Sequence, residues 1–245
     1  MQYINCKQYS QEILDRIKDL PSKGELWILT MGNDPASQSY VKGKIKDCEY
    51  CGIPYSHIKC NNEDALRSHI FSGNANRHVD GIIVQLPLPK GLNPKYFTNQ
   101  VVITKDVDGF RDNSLFKPCT PEGVVYILEK ELGNLSGKRA LVIGRGELVG
   151  KPLITMLLEK DCTITVAHSK TTNLDELLEH NDIIVTAVGK PNTVDLSKCK
   201  SEIVIDAGVN RDANGKLCGD CYNFQDTGEG MKVTPVPNGI GLMTR

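Results

Sequence analysis

The chain has 245 residues, 40% apolar and 24% charged, a composition that fits a soluble globular protein and excludes a disordered or fibrous one. Its formal net charge of −1, with Lys and Arg spread along the chain and no basic block, argues against nucleic acid as a partner. No run approaches the roughly 18 apolar residues of a membrane span, and the N-terminal stretch MQYINCKQYSQEILDRI lacks a signal-type apolar core, so we expect a cytoplasmic protein without membrane contact.

Ile13, Ile17 and Leu20, with charges between them, predict an amphipathic helix over residues 5–19. The run LWILTM at 26–31 reads as the first strand. Asp34-Pro35 then opens a turn before a helix over 37–51 that Gly52 ends. Residues 55–59 form a second short strand candidate, 63–71 a second helix, and 79–86 a buried strand whose exit is held extended by Pro87 and Pro89. KDVDGF gives a polar turn, and residues 121–132 a helix able to bridge two domains. The second half continues with strands at 139–143, 163–167, 182–188 and 203–209 and helices at 152–159 and 173–179. Strands alternating with helices imply parallel sheets. We therefore expect an α/β protein of two domains, residues 1–120 and 121–245, with a cleft between them, the second a Rossmann-like doubly wound parallel sheet.

In RALVIGRGELVGKP an apolar strand breaks at Gly144, and Gly146 and Gly150 follow before a helix. Glycine allows positive φ and close backbone approach, and a helix N-terminus favours an anion, so the stretch reads as a phosphate cradle. Its G-x-G-x-x-x-G spacing is one residue longer than the dinucleotide fingerprint and also fits a plain glycine-rich turn. Four strand ends in this half carry glycine or a small polar residue, at Gly144, His168, Gly189 and Gly208, where a doubly wound sheet binds its ligand, and together they favour a nucleotide. After the second of these strands comes His168-Ser169-Lys170-Thr171, with no carboxylate before Asp175 to take ribose hydroxyls. A hydroxyl, Lys170 and nearby Arg145 suit a 2′-phosphate instead, which favours NADP over NAD; the alternative is two solvated surface charges.

Nine scattered cysteines, an odd number, argue against a disulfide framework. The pairs Cys48/Cys51 and Cys218/Cys221 lack the flanking pattern of a zinc ribbon, and we expect free thiols and no metal. Tyr40 and Lys44, four apart, share a helix face. A buried lysine there can shuttle protons and a tyrosine can stack on a flat ring, although spacing alone equally fits a solvated face with Lys42 and Lys46.

The segments GNDPASQSYVKGK, IIVQLPLP, KDVDGF, CTPEGV, VIGRGELVGKP, VAHSKT, AVGKP, IDAGVN and TPVPNGIGLMT occur in this order from Gly32 to Thr244. Together they resemble the methylenetetrahydrofolate dehydrogenase/cyclohydrolase family. The resemblance implies oxidation of 5,10-methylenetetrahydrofolate to the methenyl form with NADP or NAD and, in most members, hydrolysis to 10-formyltetrahydrofolate. It places the catalytic lysine at Lys44, a stacking tyrosine at Tyr40, a glutamine that helps keep the lysine neutral at Gln85, and the pterin-binding carboxylate at Asp108. The cofactor set it implies comprises the turn Gly144, Arg145, Gly146 and Gly150, then His168, Ser169, Val188 and Gly189, with Arg145 and Ser169 on the 2′-phosphate and Thr120 and Pro121 near the nicotinamide. Pro235, Val236, Pro237 and Gly239 fall where members line the folate cleft, and members are usually dimers. Three departures stand out: Gly146 replaces a serine, Asn238 a glycine and Leu242 a proline. Members also continue past the Met-Thr pair with a helix that packs on the first domain, whereas this sequence stops at Arg245, which bears on the hydrolysis step. Two other readings of the same residues are a monofunctional dehydrogenase and a non-catalytic nucleotide- or folate-binding relic.

Overall fold

The computed structural model describes residues 1–21, 24–225, 227 and 230–245, the side chain of residue 36 excepted. It divides into two compact units, Gln11–Pro118 with Arg245, and Met1–Ser10 with Cys119–Thr244. The chain begins with β1 (Gln2–Tyr3) and α1 (Cys6–Lys18).

The first unit is built on β2 (Glu25–Met31), α2 (Pro35–Cys51), β3 (Tyr55–Cys60), α3 (Glu63–Ala75), β4 (Val79–Val84) and α4 (Pro94–Thr98). Its three strands are parallel in the order β3-β2-β4. Leu29, Ile82 and Val84 of the sheet pack on Leu66 and Ile70 of α3, with Phe97 and Val101 closing the core. Local chemistry sets the limits of α2. Asp34 is extended and its carboxylate accepts from Ser37 N at 2.7 Å, Pro35 occupies the first turn, and Gly52 ends the helix at φ +67°. The helix therefore begins two residues before the predicted start, because proline is at home where a helix has no use for its N–H. β4 ends earlier than predicted: Gln85 N still donates to Leu29 O at 2.9 Å, and the Leu86-Pro87 peptide is cis.

The second unit contains α5 (Cys119–Leu132), β5 (Arg139–Ile143), α6 (Gly150–Leu158), β6 (Thr163–Ala167), α7 (Leu174–Glu179), β7 (Ile183–Thr186), β8 (Val194–Asp195), β9 (Ile203–Asp206), β10 (Asn210–Arg211), β11 (Leu217–Cys218), β12 (Cys221–Tyr222), β13 (Lys232–Val233) and α8 (Ile240–Thr244). Its main sheet has 6 strands, all parallel, in the order β1-β13-β9-β7-β5-β6. Alternate residues of the central strands enter opposite cores. Ala140, Val142, Ile183, Val185, Ile203 and Ile205 meet α5 and α6, whereas Leu141, Ile143, Ile184 and Val204 meet Leu178, Val194 and Leu196. The four long strands lie where expected, but β7 ends two residues before the predicted 188 and β9 three before the predicted 209, where the chain turns off into the loops after Thr186 and Asp206; β1 and β13 are too short to show a period. Residues 1–10, expected with the N-terminal domain, belong to this unit instead: Gln2 and Tyr3 pair with Lys232 and Val233, and Tyr9 Oη donates to Glu131 at 2.7 Å.

Candidate active site

In the first unit Lys44 is buried on α2, and its Nζ donates to Asp108 Oδ1 at 3.2 Å; the two side chains are only 6% and 11% exposed. Desolvating two charges is unfavourable unless each has its partner, so removing either would leave an uncompensated buried charge. The loop that carries Asp108 is held by a set of hydrogen bonds. Lys105 Nζ donates to the carbonyls of Gly73, Asn74 and Asn76. Asp106 accepts from the N–H groups of Phe110 and Arg111, and the Arg111 guanidinium donates to Asn99 O and Val101 O, both at 2.7 Å. Gly109, at φ +68°, has no room for a Cβ, which would lie 2.6 Å from Lys117 C.

Tyr40 is half-buried one turn before Lys44 on the same helix. Gln85 follows β4, its Nε2 donating to Leu86 O at 2.8 Å and its Oε1 buried without a partner among the described residues. The resemblance implies a Gln85–lysine hydrogen bond, but here the lysine bonds Asp108, a carboxylate being the stronger partner for an ammonium. Gln85 also borders a cavity of about 240 Å³, whose walls include Thr30, Asp34, Ser37 and His57. Thr30 Oγ1 lies 3.0 Å from His57 Nε2, and burial, then the charge of Lys59, hold that imidazole below its ordinary pKa.

The second unit presents a row of strand ends. Ile143 is paired with Ala167 on one side and Thr186 on the other, and Thr186 with Asp206, so the loops beginning at Gly144, His168, Ala187 and Ala207 leave one edge of the sheet in register. Gly144 has φ +113°, and a Cβ there would lie 2.4 Å from Ala187 O; a Cβ on Gly150 would lie 2.3 Å from Gly144 O. Both positions require glycine. Gly146 does not, since a Cβ would meet nothing within 4 Å. α6 starts at Gly150 without a side-chain cap. Arg145 and Lys170 are exposed and have no ion-pair partner among the described residues, and they leave from neighbouring strands, as does Ser169. His168 lies beside Ser169, its Nδ1 accepting from Lys170 N at 3.2 Å. Val188 and Gly189 follow β7. Thr120 Oγ1 is 3.0 Å from Thr244 Oγ1 at the start of α5. Between β13 and α8, the Val236-Pro237 peptide is cis, Asn238 takes the left-handed φ of +71°, and a Cβ on Gly239 would lie 2.1 Å from Pro235 O. Asn is the non-glycine residue best suited to that φ, which explains how it stands where the family has glycine.

All nine cysteines are free, and burial pushes the Cys48 thiol up to about 11 and that of Cys199 up to about 12. Sequence reading missed two residues, the buried carboxylates Asp206 and Asp220. Asp206 accepts from the N–H groups of Gly208, Asp220 and Cys221, and burial, opposed by those bonds, raises its pKa. The signal was an acid at the end of an apolar strand, in IDAGVN, and another inside Cys-Gly-Asp-Cys, where attention fell on the thiols.

Two family models cover almost the whole chain: the catalytic domain of tetrahydrofolate dehydrogenase/cyclohydrolase over residues 4–108, and its NAD(P)-binding domain over 118–245. The chain belongs to this family. Among curated relatives it is 40% identical to the bifunctional protein FolD of Campylobacter hominis over 100% of this chain and 93% of that protein. With the FolD of Agathobacter rectalis it shares 38% identity over 97% of this chain and 91% of the relative. Among solved structures, the bifunctional FolD of Campylobacter jejuni superposes with TM-score 0.91 at 35% identity, covering 100% of this chain and 94% of that one. The Trypanosoma brucei methylenetetrahydrofolate dehydrogenase-cyclohydrolase, solved with NADP cofactor and inhibitor, gives 0.90 at 27% identity over 99% and 92%. Within the family, then, the unit holding Lys44 and Asp108 is the catalytic domain and the unit holding the glycine turn is the NAD(P)-binding domain.

Proposed function

We propose that the chain oxidises 5,10-methylenetetrahydrofolate with NADP and then hydrolyses the methenyl product to 10-formyltetrahydrofolate. The observation that carries this reading is the buried Lys44–Asp108 pair, because a nucleotide-binding protein without chemistry has no use for a desolvated lysine. NADP bound to the second unit would supply the hydride acceptor. The second unit fits such a group: Gly144 and Gly150 keep the turn bare of side chains, and Arg145, Lys170 and Ser169 offer two charges and a hydroxyl to a 2′-phosphate. Hydride loss leaves a cation delocalised over two folate nitrogens, so this step needs alignment more than an acid or base.

Hydrolysis needs both. Asp108 accepts the adjacent N–H donors of the pterin edge, and its hold on the Lys44 ammonium weakens as it does so. Lys44 Nζ, having given its proton to solvent, takes one from the water that adds to the methenyl carbon. It passes that proton to the folate nitrogen whose bond to the carbon breaks, and it takes up the remaining hydroxyl proton as the formyl C=O forms, so that the ammonium is restored and one proton is released overall. Gln85 Oε1, a buried acceptor without a donor among the described residues, is suited to steady the lysine during the exchange. Tyr40 stacks on the folate ring system. By the family resemblance, Pro235, Val236, Pro237 and Gly239 of the NAD(P)-binding domain also contact the folate.

We also place the protein in the cytoplasm as a homodimer; no helix among the described residues is long and apolar enough to cross a membrane. The test follows NADPH absorbance and methenyl absorbance together, with NADP and NAD in parallel. The expected result is reduction of NADP with only transient methenyl compound. Reduction of neither cofactor would overturn the dehydrogenase. A methenyl product that accumulates would identify a monofunctional enzyme, and tight binding without turnover a relic.

A further inference from the structure

The order β9-β7-β5-β6 reverses the direction of winding between β5 and β7: the chain runs outward from β5 to β6, then returns to β7 on the other side. In doubly wound sheets the ligand lies outside the carboxyl ends of the strands at such a reversal. One wall of that crevice is the glycine turn after β5. The other is the loop after β7, and the two touch where Gly144 meets Ala187 O. Nothing in the sequence of this second wall, Ala-Val-Gly-Lys, fixes its shape, and Gly189 sits at φ +67°.

We propose that Asp220 is the positioning residue that fixes this wall for the nicotinamide, an inference that rests on the function proposed above. Asp220 is wholly buried. Its Oδ2 accepts from Thr186 Oγ1 at 2.9 Å, Val188 N at 2.8 Å and Gly189 N at 3.3 Å. Its Oδ1 accepts from Lys190 N at 3.0 Å and Asn210 Nδ2 at 2.8 Å. Five donors converge on one side chain, and an ionised carboxylate is the group that only accepts. Three of the donors are successive backbone N–H groups, the arrangement of an anion-binding nest filled here by the protein's own charge. Across a trans peptide the carbonyl points opposite to the N–H. The carbonyls of residues 187–189 are therefore turned away from Asp220, and that of Ala187 is the one that meets the Gly144 turn. Backbone acceptors facing that way suit the amide N–H donors of a nicotinamide carboxamide, and Val188, 41% exposed, offers an apolar face to its ring.

Asp220 is itself held from behind. Its N–H donates to Asp206 Oδ1 at 3.1 Å, and its carbonyl accepts from Thr193 N at 2.8 Å. A Cβ on Gly208 would lie 2.2 Å from Asp220 Oδ1, so the glycine leaves the carboxylate its place.

Asp220→Asn keeps the shape and replaces one acceptor by a donor that faces donors. Amide hydrogen exchange of residues 188–190, measured on the protein without cofactor, is expected to accelerate by roughly ten- to a hundredfold. KM for NADP should rise and dehydrogenase kcat/KM fall by about the same factor, while hydrolysis of added methenyltetrahydrofolate stays within roughly twofold. Thr186→Val, which removes one donor and leaves the carboxylate, should shift the same quantities less, and it serves if the asparagine variant fails to fold. Unaltered exchange at 188–190 overturns the proposal, as does an equal fall of both activities, the mark of a purely structural residue. The exchange readout needs neither substrate nor cofactor, so it tests the clamp even where the proposed reaction is absent.

Discussion

The two units make their sites from different material. In the catalytic domain the proposed working parts are side chains: Lys44 and Asp108 arrive from positions 64 residues apart and meet in a buried ion pair. In the NAD(P)-binding domain they are mostly backbone: a row of strand ends in register, glycines that keep Cβ atoms out, and buried aspartates that hold loops from behind. The first kind of site fails when a functional group is lost and its shape survives. The second fails when a side chain is added where none fits. Substitutions that respect shape and substitutions that respect chemistry should thus have opposite effects in the two units.

The largest effect is expected from Lys44→Met. Hydrolysis of the methenyl compound should fall by about two to four powers of ten, the usual contribution of a general acid/base, while NADP still binds. The variant also strands Asp108 as a buried charge, which should destabilise the protein by roughly 3–5 kcal/mol in urea unfolding. The double variant Lys44→Met/Asp108→Asn separates the two consequences, since it should recover much of the stability and none of the hydrolysis. Hydrolysis that persists in Lys44→Met would show that the catalytic domain's site is not built on this side chain.

Gly144→Ala should do the converse. It adds one methyl at φ +113°, against Ala187 O, and the strain should be a few kcal/mol. NADP titration should show binding lost or weakened more than tenfold, with hydrolysis in the other domain retained. Normal NADP affinity in this variant would mean the glycine turn does not shape the cofactor's site.

What the sequence disclosed follows the same division. Helix α2 was legible because its limits are local: Asp34 and Pro35 start it and Gly52 stops it. The central strands were legible as apolar runs. β1 and β13 were not, being two residues each, and their pairing joins the chain's start to residue 232, which no local pattern records. The spacing of Gly144, Gly146 and Gly150 made them look alike, although two are forced by close approach and one is free. Tyr40 and Lys44 were visible as a helix face, but Asp108 was placed by resemblance only as the pterin's partner, and its pairing with the lysine was not foreseen, because spacing does not fold a loop back onto a helix. Asp220 escaped altogether. Its five donors lie between positions 186 and 210 and converge only through the topology.

A smaller effect concerns pH. His57 sits in the catalytic domain's cavity, its pKa lowered by burial and then by Lys59. The folded protein therefore binds fewer protons here than the unfolded chain, so stability falls as the pH drops below the unfolded histidine's value of about 6.5. The urea midpoint should decrease between about pH 7 and pH 5, and His57→Gln should shrink that decrease while leaving the NADP affinity of the other domain unchanged. An unchanged pH profile in His57→Gln would show that the imidazole titrates alike in both states.

The smallest effect sharpens the comparison most. Gly146→Ser introduces the serine that the family resemblance implies at this position and adds a side chain to a site made of backbone, where the rule above predicts damage. The geometry predicts otherwise: a Cβ here meets nothing within 4 Å, and φ lies outside the left-handed range. Replacing glycine where the new residue fits also restricts the unfolded chain, so stability should stay the same or rise by a few tenths of a kcal/mol. The KM for NADP should change by less than about threefold, as for a substitution that touches no buried feature. Intact affinity would place the sensitivity of this domain in its close approaches, at Gly144 and Gly150, and not in its glycine content. A large loss would mean that the turn closes around the cofactor and that position 146 becomes crowded only then, in which case the backbone-built site is not pre-formed and its difference from the side-chain site is one of motion as well as material.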